Sequence, residues 1–257
     1  MKIQAVLWDK DGTLLDGFAD WIRRDRRLVQ RLARERSTAP LSTDQLDALD
    51  RAALVALGVE EGRVLPHGLL AHGTEEALLL ALRGVLSNRV PVEEPPLFLE
   101  HARESLRRLL LEEGPVVPHP TPAAGEALVF FSRQRLKQGL ATSDSLTHAR
   151  SEFEALGWEP YFCFWGCGDT AAKPKPDPWT VNEFCRLHGL APGNVLVIGD
   201  APADMEMARR AGARGFGVLG GVGGRSELAA AERLFSGLDE LLGWMRGHLD
   251  AMDGAAP

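Results

Sequence analysis

The stretch Ile3-Gln4-Ala5-Val6-Leu7-Trp8-Asp9-Lys10-Asp11-Gly12-Thr13 decides how the rest of the chain is read. Six residues of apolar, strand-like character end in two carboxylates spaced two apart, followed by a glycine that permits a sharp turn. On an extended segment side chains alternate faces, so Asp9 and Asp11 point the same way and Lys10 points elsewhere. Two aligned carboxylates can divide covalent catalysis between a nucleophile and a proton carrier. They also offer the oxygen donors that a hard divalent cation prefers.

Downstream of this strand two patterns follow. From Asp16 to about Pro118 the pattern is helical throughout. Phe18, Trp21, Ile22, Leu28, Val29, Leu32 and Ala33 form one apolar stripe. Ser42-Thr43-Asp44-Gln45 reads as a capping box opening a helix through Leu57, stopped by Gly58. Thr74 caps a third helix through Leu86, and a fourth runs from about Pro96 to Leu111 and ends at Gly114. Pro115, Pro118, Pro120 and Pro122 punctuate the return. From about Thr121 onward helices and strands alternate. Strands are expected at Gly139–Thr142, Tyr161–Trp165, Val195–Ile198 and Arg214–Leu219. Helices are expected at about 122–138, through Leu156, at 178–188 and at 204–211. The tail Met252–Pro257 is expected to fray.

Alternation of this kind predicts an α/β fold, a parallel sheet with helices on both faces that the first strand joins across the helical insertion. Ligands of such sheets bind beyond the carboxyl ends of the strands. Four polar clusters fall there: Asp9 with Asp11; Thr142-Ser143-Asp144; Lys173-Pro174-Lys175-Pro176-Asp177; and Gly199-Asp200-Ala201-Pro202-Ala203-Asp204. Several carboxylates crowded together repel one another and favour a divalent cation. Lys173 supplies a point charge for a phosphoryl oxygen and Thr142 a stiff hydroxyl donor.

In this order and spacing the clusters resemble the motifs of the haloacid dehalogenase superfamily, and specifically its phosphatases of phosphoglycolate-phosphatase type. Residues 9–13 match Asp-x-Asp-Gly-Thr. Thr142 matches the hydroxyl residue after a strand, Lys173 the lysine often followed by proline, and Gly199, Asp200 and Asp204 the Gly-Asp-x-x-x-Asp motif. The resemblance implies a Rossmann-like core of residues 1–16 and 119–257 and an inserted all-helical cap of residues 17–118. It implies a Mg²⁺-dependent phosphatase acting on a small phosphorylated metabolite through an aspartyl-phosphate. Asp9 would be nucleophile and metal ligand, and Asp11 acid/base with its main-chain carbonyl on the metal. Asp200 and Asp204 would complete the metal site. Asp9, Thr142, Ser143 and Lys173 would meet the phosphate. Asp11 separates this type from the family's dehalogenases and cation pumps, leaving a sugar phosphomutase, or an idle phospho-ligand binder, as the alternatives. Ala201 departs from the hydroxyl residue common in the fourth motif. Lys10 replaces a usual apolar residue and receives no catalytic role.

The totals agree with a soluble enzyme. The chain has 257 residues, 45% hydrophobic and 25% charged, with a net charge of −7. That balance argues against nucleic-acid or anionic-membrane partners. With neither a leader pattern nor an apolar run of about 18 residues, the expected compartment is the cytoplasm, and the protein is expected to be a monomer or homodimer. Cys163, Cys167 and Cys185 lack a second Cys or His pair at zinc-site spacing and are read as buried thiols. The arginines of the first insertion helix (Arg23, Arg24, Arg26, Arg27, Arg31, Arg34 and Arg36) are read as a solvated face, with steering of an anionic substrate as the other possibility. His67 and His72 are read as ordinary surface histidines rather than substrate contacts.

Overall fold

The computed structural model describes residues 3–114 and 117–253. Pro115 and the tail beyond residue 253 lie outside the described residues. The chain divides into two compact units, Met1–Asp16 with Pro118–Pro257, and Gly17–Val117.

In chain order, β1 (Ala5–Trp8) is followed by the helical unit: α1 (Phe18–Arg36), α2 (Thr43–Leu57), β2 (Val59–Glu60), β3 (Arg63–Val64), α3 (Leu69–His72), α4 (Glu75–Ser87) and α5 (Pro95–Glu113). The remainder is α6 (Ala124–Arg133), β4 (Lys137–Ala141), α7 (Leu146–Ala155), β5 (Phe164–Gly166), α8 (Trp179–His188), β6 (Val195–Gly199), α9 (Pro202–Ala211), β7 (Arg214–Val218), β8 (Arg233–Phe235) and α10 (Leu238–Asp253).

Within the helical unit, α1 buries Leu28, Val29, Leu32 and Ala33 as the stripe predicts, while Trp21 is only half buried. The capping box on α2 is formed: Gln45 N donates to Ser42 Oγ (3.3 Å) and Ser42 N donates to Gln45 Oε1 (2.8 Å). Gly58 closes α2 in the left-handed region, at φ 77°. The arginine face of α1 is largely engaged in ion pairs, Arg26 with Asp50, Arg31 with Glu35 and Glu112, and Arg36 with Glu93. The unit is not all-helical, however. β2 and β3 pair antiparallel across Glu61 and Gly62, both with positive φ (49° and 77°), the signature of a primed hairpin turn. Two-residue strands carry too little alternation to register in the sequence.

The core sheet has six strands in the order β5-β4-β1-β6-β7-β8, all parallel. Both faces are covered, and the central strands β1 and β6 are apolar on both sides. Val6, Trp8, Leu196 and Ile198 pack into one cluster, and Ala5, Leu7, Val195 and Val197 into the other. The first cluster is aromatic: Trp8 meets the Phe131 ring edge-on, at 5.2 Å between centroids. The Trp8 indole N–H donates to Gln138 Oε1 (2.9 Å), and Gln138 Nε2 donates to Leu128 O (2.9 Å), satisfying the buried polar groups. The insertion leaves and rejoins the core at one place, where Asp16 N donates to His119 O and Thr121 N to Leu14 O.

Several boundaries differ from expectation. α6 stops at Arg133, and β4 begins at Lys137 because the short run Gly139–Thr142 conceals a strand whose first residues are polar. The aromatic segment is a 3₁₀ turn at Glu159–Tyr161 before β5 starts at Phe164. β8 and α10 lie beyond the last expected element. Cys163 is exposed, whereas Cys167 and Cys185 are buried; burial pushes the Cys167 thiol up to about 12. No helix among the described residues is long and apolar enough to cross a membrane.

Phe131 is fully buried between α6 and β1. Phe131→Ala is expected to destabilise the protein by about 3–5 kcal/mol, read from the denaturant midpoint.

Candidate active site

β4, β1 and β6 are neighbours in register, with Trp8 opposite both Leu140 and Ile198. Adjacent strands lie about 4.8 Å apart, so residues just past their carboxyl ends converge from three strands. Asp9 follows β1, Thr142 follows β4 and Asp200 follows β6. Asp204 arrives from the first turn of α9, where its Oδ2 accepts from Ala201 N (3.1 Å). This bond uses the main chain of residue 201 and survives with alanine there, whereas the side-chain half of the cap is lost.

Carboxylate oxygens of Asp9, Asp200 and Asp204 all lie within 4.8 Å of one another, and all three residues are buried. Two glycines make this crowding possible. A Cβ on Gly199 would stand 2.4 Å from Asp204 Cγ, and one on Gly221 would stand 1.9 Å from Asp200 Oδ2. Asp200 receives neutral donors, Val222 N on Oδ2 (2.7 Å) and Thr13 Oγ1 on Oδ1 (3.3 Å). Lys175 Nζ reaches Asp9 Oδ1 at 2.5 Å and Asp204 Oδ1 at 2.6 Å.

Electrostatics follow from this packing. Burial raises the Asp9 carboxyl, and the neighbouring Lys175 only partly counters it. The Asp200 carboxyl is pushed well above the ordinary range by burial first, then by the charges of Asp9 and Asp204. Burial disfavours the Lys175 ammonium, but the carboxylates of Asp204 and Asp9 overcome it and hold the proton more tightly than usual. The site gathers three acidic side chains, two of them paired with one ammonium. Hard, mutually repelling oxygen donors at this spacing fit a small divalent cation.

The lysine at the site is Lys175, not Lys173. The backbone turns over Pro174–Asp177, where Asp177 N donates to Pro174 O (2.9 Å). Lys175 enters the site with its side chain 7% exposed, while Lys173 stays 67% exposed and pairs with Asp177 at 3.6 Å. Two Lys-Pro pairs in tandem satisfy the same motif, and only the turn distinguishes them. Thr142 is buried, and its Oγ accepts from Asp144 N (3.1 Å), which leaves the hydroxyl proton to donate. Ser143 is half buried, and a Cβ on Gly168 would stand 2.1 Å from its carbonyl oxygen. Asp11 is half buried and does not belong to the acidic triad; its carboxylate lies 3.2 Å from Lys10 Nζ. Sequence reasoning missed Lys175, Thr13, Gly221 and Lys10. The run Gly220-Gly221-Val222-Gly223-Gly224 carried a usable signal, since clustered glycines mark a close backbone approach.

A family profile described as "Hydrolase: haloacid dehalogenase-like hydrolase" matches residues 3–212. An N-acetylmuramic acid 6-phosphate phosphatase of Pseudomonas aeruginosa is 28% identical over 83% of this chain and 80% of its own length. A phosphoglycolate phosphatase of Thiobacillus denitrificans is 28% identical over 82% of this chain and 81% of its own. Among solved structures, one described as a predicted phosphoglycolate phosphatase from Haemophilus somnus superposes with a TM-score of 0.73, at 16% identity, over 95% of this chain and 99% of that one.

The raised Asp200 carboxyl has a consequence for stability. Its folded value lies above the ordinary 3.8, so the folded state binds the proton more tightly and loses stability as pH rises above 3.8. In the presence of a chelator, Asp200→Asn is therefore expected to raise the melting temperature at pH 7. The gain should shrink as pH is lowered toward 3.8.

Proposed function

The chain belongs to the haloacid dehalogenase-like hydrolase family, and from that membership we propose that it is a Mg²⁺-dependent phosphatase of a small phosphorylated metabolite, working through an aspartyl-phosphate on Asp9. The observation that carries this reading is the buried convergence of Asp9, Asp200 and Asp204, with Lys175 paired to Asp9 and Asp204. The named activities of the phosphoglycolate and N-acetylmuramic acid 6-phosphate phosphatases support a phosphate monoester as the substrate.

In this reading Asp9 attacks phosphorus while the ester oxygen departs. Asp11 gives that oxygen its proton, then takes a proton from the water that cleaves the aspartyl-phosphate, returning Asp9 and releasing inorganic phosphate. Lys175 holds the attacking carboxylate in place and offers its charge to an equatorial phosphoryl oxygen, the role first expected of Lys173. Thr142 donates its hydroxyl proton to another, and the Ser143 main chain lies beside it in the loop. Asp9, Asp200, Asp204 and the Asp11 carbonyl would hold Mg²⁺, which when bound neutralises charge on the transferring phosphoryl group. The helical unit keeps the part of cap that the resemblance assigns to it.

Asp9→Asn is expected to abolish inorganic phosphate release across a panel of phosphate monoesters with Mg²⁺ while leaving the melting transition cooperative. Lys175→Ala should lower kcat/KM by about 10²-fold or more, whereas Lys173→Ala should stay within about twofold, as for a solvated surface charge. Appreciable turnover by Asp9→Asn, or the reverse ranking of the two lysines, contradicts the reading.

A further inference from the structure

The side chain at position 10 points away from the acidic triad, yet it is lysine and fully buried. Its Nζ lies 3.2 Å from each carboxylate oxygen of Asp11 and 3.0 Å from Asp144 Oδ2, and it donates to Glu152 Oε2. His148 Nδ1 in turn lies 2.7 Å from Asp144 Oδ2 and 3.6 Å from Glu152 Oε2. Asp144 is fastened further, its Oδ1 accepting from Ser145 N (2.7 Å) and its carbonyl from Gly168 N (2.7 Å). Glu152 and His148 sit on α7, one turn apart.

Asp144, His148 and Glu152 place ligand atoms within 4.8 Å of one another, a spacing that also suits a cation. The Lys10 ammonium already sits on every carboxylate here, Asp144, Glu152 and Asp11, whereas Lys175 leaves Asp200 with neutral donors alone; the cluster around Lys10 is a socket for that ammonium. Burial disfavours the charged lysine, but the carboxylates of Asp11, Asp144 and Glu152 more than offset this and hold the proton firmly. An uncompensated lysine here would be costly, so the socket and the lysine require each other.

The strand thus hands its two carboxylates to two different ammonium groups. Asp9 goes to Lys175 and Asp11 goes to Lys10. Lys10 meets both oxygens of the Asp11 carboxylate at the same distance, while the Asp11 side chain keeps 17% of its surface exposed. A carboxylate gripped at both oxygens has one orientation available, and a proton carrier is effective only within hydrogen-bond reach of the group it serves.

We infer that Lys10 is the positioning residue of the acid/base: anchored by Asp144 and Glu152, it fixes the Asp11 carboxyl toward the leaving group of the phosphate ester. This rests on the phosphatase reading above. It assigns Lys10 no contact with substrate, and it makes α7 and the Asp144 loop part of the apparatus that orients Asp11.

The consequence depends on the leaving group. A nitrophenolate departs as a stable anion and needs little protonation, whereas an alkoxide needs the acid. Because kcat/KM reports only steps through the first transfer, it isolates leaving-group departure from later hydrolysis of the aspartyl-phosphate. The experiment compares kcat/KM for p-nitrophenyl phosphate and for 2-phosphoglycolate in the wild type, Lys10→Met, Lys10→Arg and Glu152→Gln, each with Mg²⁺. Lys10→Met is expected to lower the alkyl-to-aryl ratio by about tenfold or more, a fraction of what a general acid supplies. Lys10→Arg should recover part of that ratio, since it restores the charge. Glu152→Gln, which leaves the lysine in place and loosens its anchor, should lower the ratio by a smaller factor and serves alone if Lys10→Met does not fold. In an Asp11→Asn background Lys10→Met should leave the ratio unchanged.

Equal losses on both esters, or an unchanged ratio in Lys10→Met or in a folded Glu152→Gln, overturn the inference while leaving the phosphatase reading intact. Failure of the wild type to release phosphate from either ester overturns the parent reading, and the inference falls with it.

Discussion

Three carboxylates buried together, two of them against one ammonium, set the terms for the rest of this fold. Asp9, Asp200 and Asp204 would repel one another in water and do so more strongly where the dielectric is low. The sheet nevertheless brings them together, because β1 and β6 are hydrogen-bonded neighbours and α9 starts directly beyond β6. Apolar clusters on both faces of the sheet hold that arrangement from behind. Packing of the core thus opposes the mutual repulsion of these acidic groups. Stored electrostatic strain of this kind is a common mark of sites that neutralise incoming charge.

Much of this was legible in the sequence because it rests on local pattern. A strand of apolar residues, an Asp-x-Asp-Gly turn and alternating helix and strand after residue 121 were enough to predict a parallel sheet with its site at the carboxyl ends. Asp9, Thr142, Asp200 and Asp204 stand where that reasoning put them. Failures began where the answer depended on a turn or on tertiary pairing. Lys173 and Lys175 are each followed by proline, and the Pro174–Asp177 turn decides between them. The β2–β3 hairpin is too short for periodicity to register, and its mark is the Glu61-Gly62 pair. Strand β8 was missed for the same reason.

Lys10 illustrates a different limit. A charged residue inside an otherwise apolar strand end reads as an exception to the pattern, and its partners Asp144 and Glu152 lie more than a hundred residues away. Only the pairing of β1 with β4 brings them within reach. The same residues that close the strand ends therefore form two ion clusters side by side, one around Lys175 and one around Lys10. They divide the two aspartates of a single short motif between them. Such a division explains how two carboxylates two residues apart can be held in different electrostatic surroundings, the condition for giving them different chemical tasks.

The proposed function requires that Asp9, Asp200 and Asp204 hold a divalent cation. Calorimetric titration of Mg²⁺ into the wild-type protein and into Asp200→Asn tests it most directly. One saturable site per chain in the wild type, lost in the variant, is the predicted result; no binding by the wild type, or unaltered binding by Asp200→Asn, would contradict it.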